Sequence, residues 1–565
     1  MTRKISAIGA LALLVAAIAV TVWIRFSGRN HGPANAAEIL PADTMFLFEA
    51  RDVELFGKRL NQTAIAQFFR EPDIARILTP LRTQTDASSA FKAVSAFGAE
   101  CKIGYAFFAH VSAGQGTAMV GGFESSVGSS AFLGRLKQLR ETLGATFDFG
   151  EEPARRHNGY AVLRGRLGRQ SVEIVLVQNH CYFSTDPAVL DNLLDRLDSL
   201  KEAAIEPNSL ASAENLSTAM SSLPSEWDTR ILIQPRQWVE SGDAIVTRWL
   251  PVFLQAPENL PKTVGLTSKI DGKLFRDVLY VSGDLGKNWP VLAPGNATFR
   301  RTALDIRISV DAVIAAGELP AFQLAKVPVL DEVSNRLRDS RLTRAEWISA
   351  FGTELRVVVL WPKDSGMPVF ELTSQVRNAE KAREVFGRLR DKITEGNDVR
   401  TERIYNQDAI LIPSGESLLY TPVMMLEQDR LRVVSNQGDL GIVQRERAPA
   451  SKSTKDSNAA PSDRSAEPQQ NEEFVSIHVD SALLAGRTYQ LLRPVLALTS
   501  QMASSQGRLF DWTQLPNVEV LTRNLQPMDV TVSRSGNGVL MESSGSVTLP
   551  QVLAGCRVIQ NRMNR

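Results

Sequence analysis

The chain has 565 residues, 44% of them hydrophobic and 22% charged, with 63 Lys and Arg against 62 Asp and Glu. That near-cancellation excludes a broad electrostatic pull toward nucleic acid or anionic lipid. The composition is that of an ordinary globular protein, and the length exceeds one hydrophobic core, which predicts about two to four domains.

Arg3 and Lys4 precede an uninterrupted apolar run over residues 5–24, closed by Arg25 and Arg29. At about 1.5 Å per residue a helix of this length reaches across the roughly 30 Å hydrocarbon core of a bilayer. Residues 1–28 are therefore expected to form an uncleaved transmembrane signal anchor, touching the membrane through residues 5–24, with 29–37 as a spacer. The competing reading is a secretory signal cut after Ala34-Asn35-Ala36, a site separated from Ile24 by Arg25, Arg29 and Pro33. A narrow cationic excess before the run puts the N-terminus in the cytoplasm and the body in the periplasm, single-pass in the inner membrane.

Beyond the spacer, residues 44–50 predict a strand after the turn-like Leu40-Pro41-Ala42-Asp43. Asp52 is placed to cap a helix that runs until Pro72, and residues 73–81 continue helically. Residues 102–124 read as a hairpin, followed by a helix from Ser129 or Ser130 to Leu143. Strands are predicted at 160–167, 171–178 and 181–186, then a helix opening at Asp186-Pro187. A strand at 229–235, a helix at 239–254 and paired strands at 263–270 and 274–285 complete the first half. Hairpin strands with helices between them predict an α+β fold of antiparallel sheets covered by helices on one face.

Several segments return about 250 residues later. SAFGAE at 95–100 returns as SAFGTE at 349–354, each leading into an apolar strand. Gly134-Arg135-Leu136 returns as Gly387-Arg388-Leu389, and HNGYAVLRG returns loosely as YNQDAILIP, with Asn158 matching Asn406. Leu260-Pro261 and Leu266-Thr267 return as Leu515-Pro516 and Leu521-Thr522. The shared order predicts a tandem duplication. Its parts are a larger lobe at 38–200, a linker at 201–226, a smaller lobe at 227–290, a second larger lobe at 291–447, a linker at 448–473, and a smaller lobe with tail at 474–565. The linker at 448–473 is rich in Ser, Ala, Pro and charge and is expected to be disordered, whereas 201–226 has room for a short helix.

No motif in the chain assembles a catalytic site. Ser89-Ala90-Phe91-Lys92 has the S-x-x-K spacing of penicillin-recognising enzymes, but the nearest companion, Lys262-Thr263-Val264, lacks the glycine of K-T-G. Gly114, Gly116 and Gly121 fall in a hairpin rather than a strand-to-helix turn, so hairpin geometry accounts for them. The five histidines, His31, His110, His157, His180 and His478, are scattered. His478 and Asp480 would share a strand face, which makes two ligands and no metal site. Asp148, Glu151 and Glu152 beside Arg155 and Arg156 read as a self-neutralising turn, and 164–169 as a solvated basic hairpin. Cys101, Cys181 and Cys556 make no metal pattern; Cys101 and Cys181 read as buried thiols, with a disulfide as the alternative. Leu553-Ala554-Gly555-Cys556 spells a lipoprotein box at the wrong end of the chain. No residue is assigned a catalytic, cofactor-binding or metal-binding role.

The opening Ile39-Leu40-Pro41-Ala42-Asp43-Thr44-Met45-Phe46-Leu47-Phe48, with Asp52 and a helix behind it, resembles a loosely defined group of membrane-anchored bacterial envelope proteins. The resemblance covers about the first 80 residues and implies a location rather than a chemistry. The expected function is therefore non-enzymatic: an envelope protein that binds or scaffolds another envelope protein, a lipid or a copy of itself, and no nucleic acid. A hydrolase or transferase with an inter-lobe site, or a lipid shuttle, are the alternatives.

Overall fold

The computed structural model describes residues 36–77, 97, 100–113, 116–143, 147–150, 152–167, 170–201, 208–241, 260–283, 290–292, 301–312, 342–363, 365–394, 400–412, 421–446, 472–502 and 515–552. The chain divides into two compact units. Unit 1 takes Met1–Gly283, Thr499–Pro516 and Ser546–Arg565; unit 2 takes Asp284–Leu498 and Asn517–Gly545.

Among the described residues no helix is long and apolar enough to cross a membrane. The longest, Ser481–Met502, runs for 22 residues but carries Arg487, Arg493 and Pro494. This finding corrects the expectation of a transmembrane signal anchor; residues 1–28 themselves lie outside the described residues, as do 313–341 and the expected disordered stretch up to residue 471.

Unit 1 contains β1 (Phe46–Ala50), β2 (Ile103–Ala113), β3 (Gly116–Ser125), β4 (Phe147–Phe149), β5 (Arg155–His157), β6 (Tyr160–Leu167), β7 (Gln170–Val177), β8 (His180–Ser184), β9 (Thr229–Ile233), β10 (Val264–Asp271) and β11 (Leu274–Ser282). Every pairing is antiparallel, in the order β5-β6-β7-β8-β3-β2-β1-β9-β10-β11, with β4 sharing the outer edge of β6. The fold is thus α+β on an antiparallel sheet. Because β9 pairs with β1 from Phe46↔Ile233 to Ala50↔Thr229, the strands on either side of residues 201–226 belong to one sheet. Part of that expected linker is packed: Leu210, Leu216 and Ala219 are buried.

Several helices of unit 1 start where short polar side chains satisfy free N–H groups. They include α1 (Val53–Gln62), α2 (Ala64–Arg70), α3 (Pro72–Ile77), α4 (Ser129–Leu143), α5 (Pro187–Lys201), α6 (Glu214–Ser222) and α7 (Pro235–Glu240). Asp52 accepts from Leu55 N at 2.8 Å, as expected, and Asp186 accepts from Ala188 N at 2.8 Å. The single helix expected up to Pro72 is interrupted at Thr63, whose extended backbone ends α1 while its Oγ1 caps α2 by accepting from Ala66 N. A core cluster of Phe97, Cys101, Phe123, Phe132, Leu136, Leu163 and Ile174 fills the space beneath α4. Each such apolar side chain contributes about 1.5–3 kcal/mol on burial.

Unit 2 contains β12 (Thr302–Ser309), β13 (Glu354–Leu360), β14 (Val369–Gln375), β15 (Arg400–Ile404), β16 (Gln407–Leu411), β17 (Val423–Leu426), β18 (Arg430–Val434), β19 (Glu473–Val479), β20 (Met528–Ser535) and β21 (Gly538–Gly545). They pair antiparallel in the order β15-β16-β17-β18-β14-β13-β12-β19-β20-β21. Its described helices include α8 (Arg344–Phe351), α9 (Ala379–Thr394), α10 (Asp439–Glu446), α11 (Ser481–Met502), which crosses into unit 1 at Thr499, and α12 (Val518–Thr522). Phe351, Val385, Phe386, Leu389, Ile410 and Met424 form the cluster under α9.

Two of the expected sequence matches do not survive in three dimensions. Leu266-Thr267 lies in β10, whereas Leu521-Thr522 ends α12, so one copy is strand and the other helix. Asn158 is the first residue of the two-residue turn between β5 and β6, while Asn406 is the second of the turn between β15 and β16. Both turns use positive φ, at Asn158 (47°) and Gly159 (85°), and at Tyr405 (51°) and Asn406 (61°), as tight hairpins require.

Candidate functional site

The start of α9 is held against the end of α8 in unit 2 by local hydrogen bonding. Thr343 and Glu346 close a reciprocal capping box at the start of α8, and Gly352 at φ 79° ends the helix. Asn378 starts α9 by accepting from Glu380 N at 3.1 Å and Lys381 N at 3.0 Å. Arg377 N and Asn378 N both donate to Ala350 O, at 2.8 and 3.2 Å, which ties the start of α9 to the end of α8.

Between α8 and the start of α9 lies an open concavity of about 530 Å³ lined by Arg344, Ile348, Ser349, Arg377, Asn378 and Lys381 together with Ala345. Three lining residues are cations and none is acidic. Arg344 is engaged by Asp311, with Nη2 2.6 Å from Oδ2. Among the described residues the side chains of Arg377 and Lys381 make no ion pair. Glu346, also on α8, is occupied by its own cap and by Arg388 of α9. Hydrogen bonds from the Thr343 backbone and hydroxyl, then Arg388 at 2.8 Å, hold its carboxyl down to about 2. Chemically the concavity offers two positive charges and a planar fork of donors, which suit an anion.

The other polar clusters are structural in their geometry. In unit 1, Arg230 meets Glu49 at 2.6 Å, Tyr105 Oη donates to Glu49 Oε1 at 2.7 Å, and Ala36 N donates to Tyr105 Oη at 3.0 Å. Burial, then the Glu49 charge, push the Tyr105 phenol well above its ordinary value. The β5–β6 hairpin is clipped to α5 by Arg155–Asp191 at 2.7 Å, His157–Asp195 at 2.7 Å and Tyr160–Asp198 at 2.7 Å.

Residues singled out in the sequence are dispersed. Arg155 turns to Glu173 and Asp191, and Arg164 also pairs with Glu173 at 2.7 Å; Glu151 of the expected self-neutralising turn lies outside the described residues. His478 Nδ1 contacts Asp529 across the β19–β20 pair at 2.7 Å, whereas Asp480 caps α11 through Leu483 N. Gly121 lies within β3 under the ring of Phe183 and against the Phe107 carbonyl, so close packing rather than a turn requires it. Cys101 and Cys181 are free, buried thiols. Ser89, Lys92, Gly114, His31 and Cys556 lie outside the described residues. Sequence reasoning passed over Arg344, Arg377 and Lys381 because no short motif joins them; the acid-free run from Leu372 to Ala379 with Asn378 as a cap was the available signal.

No protein family and no curated protein matches the chain. Among solved structures it is similar to crystal form I of TP0453, at 7% identity and TM-score 0.24 over 44% of this chain and 79% of that one. Forms IV and III give 8% and 10% identity, TM-scores 0.25 and 0.26, over 46% of this chain and 89% and 90% of theirs. Likeness at this level carries no argument about fold or function.

Proposed function

We propose that the chain is a tandem duplication of one α+β unit that works in the cell envelope as a binding or scaffolding protein without chemistry of its own. The observation that supports this most is the strand order: unit 2 follows unit 1 strand for strand, with only β4 left out. The matched residues take matched places. Phe97 and Leu136 share one core cluster, Phe351 and Leu389 another. Gly272 (φ 62°) and Gly536 (φ 53°) open the equivalent β10–β11 and β20–β21 turns. Doubling a unit doubles its surface without needing a reactive group, which fits recognition.

The Leu40-to-Thr44 opening supports the envelope location through the resemblance it carries. Here it is a tight turn, with Thr44 Oγ1 donating to Pro41 O at 2.6 Å and Gln234 Nε2 donating to Ala42 O at 2.9 Å.

The test is cell fractionation with in-cell crosslinking of the full chain. A saturable adduct with one envelope protein, or with a second copy, is the expected result. Recovery of the chain in the cytosol, or substrate turnover abolished by a single substitution, would overturn the reading.

A further inference from the structure

We infer that the open edge of β15 is a self-docking surface, along which two copies of this chain pair antiparallel about a two-fold axis at Thr401. This deepens the binding role proposed above by naming a second copy as the partner, and it rests on that role for its biological sense. Its failure would leave an adduct with a different envelope protein untouched.

β15 pairs with β16 on one side, and among the described residues no strand lies along the other. Arg400, Thr401, Glu402 and Arg403 are all exposed. An unpaired edge is a template for a further strand unless something blunts it. Unit 1 blunts the equivalent edge. There β5 runs for three residues, and Ala154 N donates to Val162 O at 2.8 Å although Arg155 is the residue paired with Val162, which marks a bulge. Pro153 precedes it; counted back from the tight turn, Pro153 stands where unit 2 has Arg400. Arg155 and His157 are also clipped to α5. None of these devices recurs in β15, which pairs with β16 without a break over five residues.

Backbone phase and charge together select a second copy and one register. Ile404 and Gln407 flank a two-residue turn, so they exchange both of their hydrogen bonds, and the pairs Glu402↔Ala409 and Arg400↔Leu411 do likewise. The N–H and C=O groups of Thr401 and Arg403 therefore point away from β16. A two-fold pairing must set some residue opposite itself, because a half-step would put facing side chains on opposite sides of the sheet. Of the four exposed residues, Arg400, Glu402 and Arg403 at the axis would each oppose like charges. Thr401 at the axis instead sets Arg400 against Glu402 of the second copy, twice over, and exchanges the outward N–H and C=O of Thr401 with their own copies. Opposite-charge pairs and Thr–Thr pairs are both favourable across antiparallel strands. Glu402 keeps its charge for this contact, since Gln437 Nε2, 3.5 Å away, is neutral.

Sedimentation velocity of the full chain over a concentration series reads the association. R400E and E402R each oppose like charges across the axis, and each is expected to weaken self-association at least about tenfold. An equimolar mixture of the two variants restores opposite charges at both contacts, as does R400E/E402R by itself, so both should recover association. A parent chain that stays monomeric throughout the series overturns the proposal. So do single variants that associate like the parent, or a mixture that does not recover. Both side chains are exposed, and unchanged melting curves check that each variant keeps its fold.

Discussion

Arg230 on β9 closes on Glu49 of β1 at 2.6 Å, with both side chains buried and Trp227 stacked 4.7 Å from the guanidinium. The pair bridges two strands whose residues are far apart in the chain, so it reports on closure of the sheet in unit 1. Removing one partner strands the other's charge in the core. Glu49→Ala is therefore expected to cost about 3–5 kcal/mol, and Tyr105→Phe, which removes one donor to the same carboxylate, about 1–3 kcal/mol. Denaturant unfolding measures both; a cost under about 1 kcal/mol for Glu49→Ala would mean the pair is solvated.

Two glycines of β3 are expected to respond oppositely to alanine. A Cβ at Gly121 would lie 2.8 Å from Phe183 Cε1 and 3.0 Å from Phe107 O, so Gly121→Ala should destabilise by about 1–3 kcal/mol. At Gly116 a Cβ meets nothing within 4 Å, so Gly116→Ala should be neutral or slightly stabilising. Equal midpoints for the two variants would refute the packing assignment.

Burial raises the Asp277 carboxyl above its ordinary value, and hydrogen bonds from Ser268 and Thr548 only partly oppose this. The folded chain thus binds that proton more tightly than the unfolded chain. Below about pH 4 both states hold it; as pH rises, the unfolded state ionises first and the fold loses stability until the raised pKa is passed. Asp277→Asn should therefore stabilise at neutral pH, while at about pH 3 it should have little effect. Thermal melts at the two pH values decide it, and a gain of the same size at both would contradict the sign.

Burial also pushes the Cys101 thiol up to about 12 and raises Cys181 further still. Since thiolate is the reactive form, maleimide at neutral pH should leave both unlabelled in the native chain and label both after unfolding in guanidinium. Peptide mapping reads each position separately, and rapid native labelling at either would count against the buried assignment.

Local chemistry made much of the fold legible. The β2–β3 hairpin, β6 and the caps at Asp52 and Asp186 follow from residues within a few positions of one another. Thr63 was not legible as a break, because threonine inside an apolar period reads as helix until its hydroxyl is seen accepting from Ala66 N. The β1–β9 pairing was hidden for a different reason: it joins Phe46 to Ile233, and strand partners that distant leave no periodic trace. The same holds for the concavity, whose two lips, Arg344 and Arg377, become neighbours only once β13 and β14 have paired.

Thr548, whose hydroxyl donates to Asp277, lies 271 residues after it and belongs to unit 1. This gives the first unit a clock. At synthesis rates of roughly 5–20 residues per second, some 15–55 s separate the two partners at the ribosome exit. During that interval unit 1 is held without its last segment while all of unit 2 is made. A chain stopped just after Gly545 would thus hold every residue of the second unit while the first was still unfinished, the reverse of the order in which the two begin.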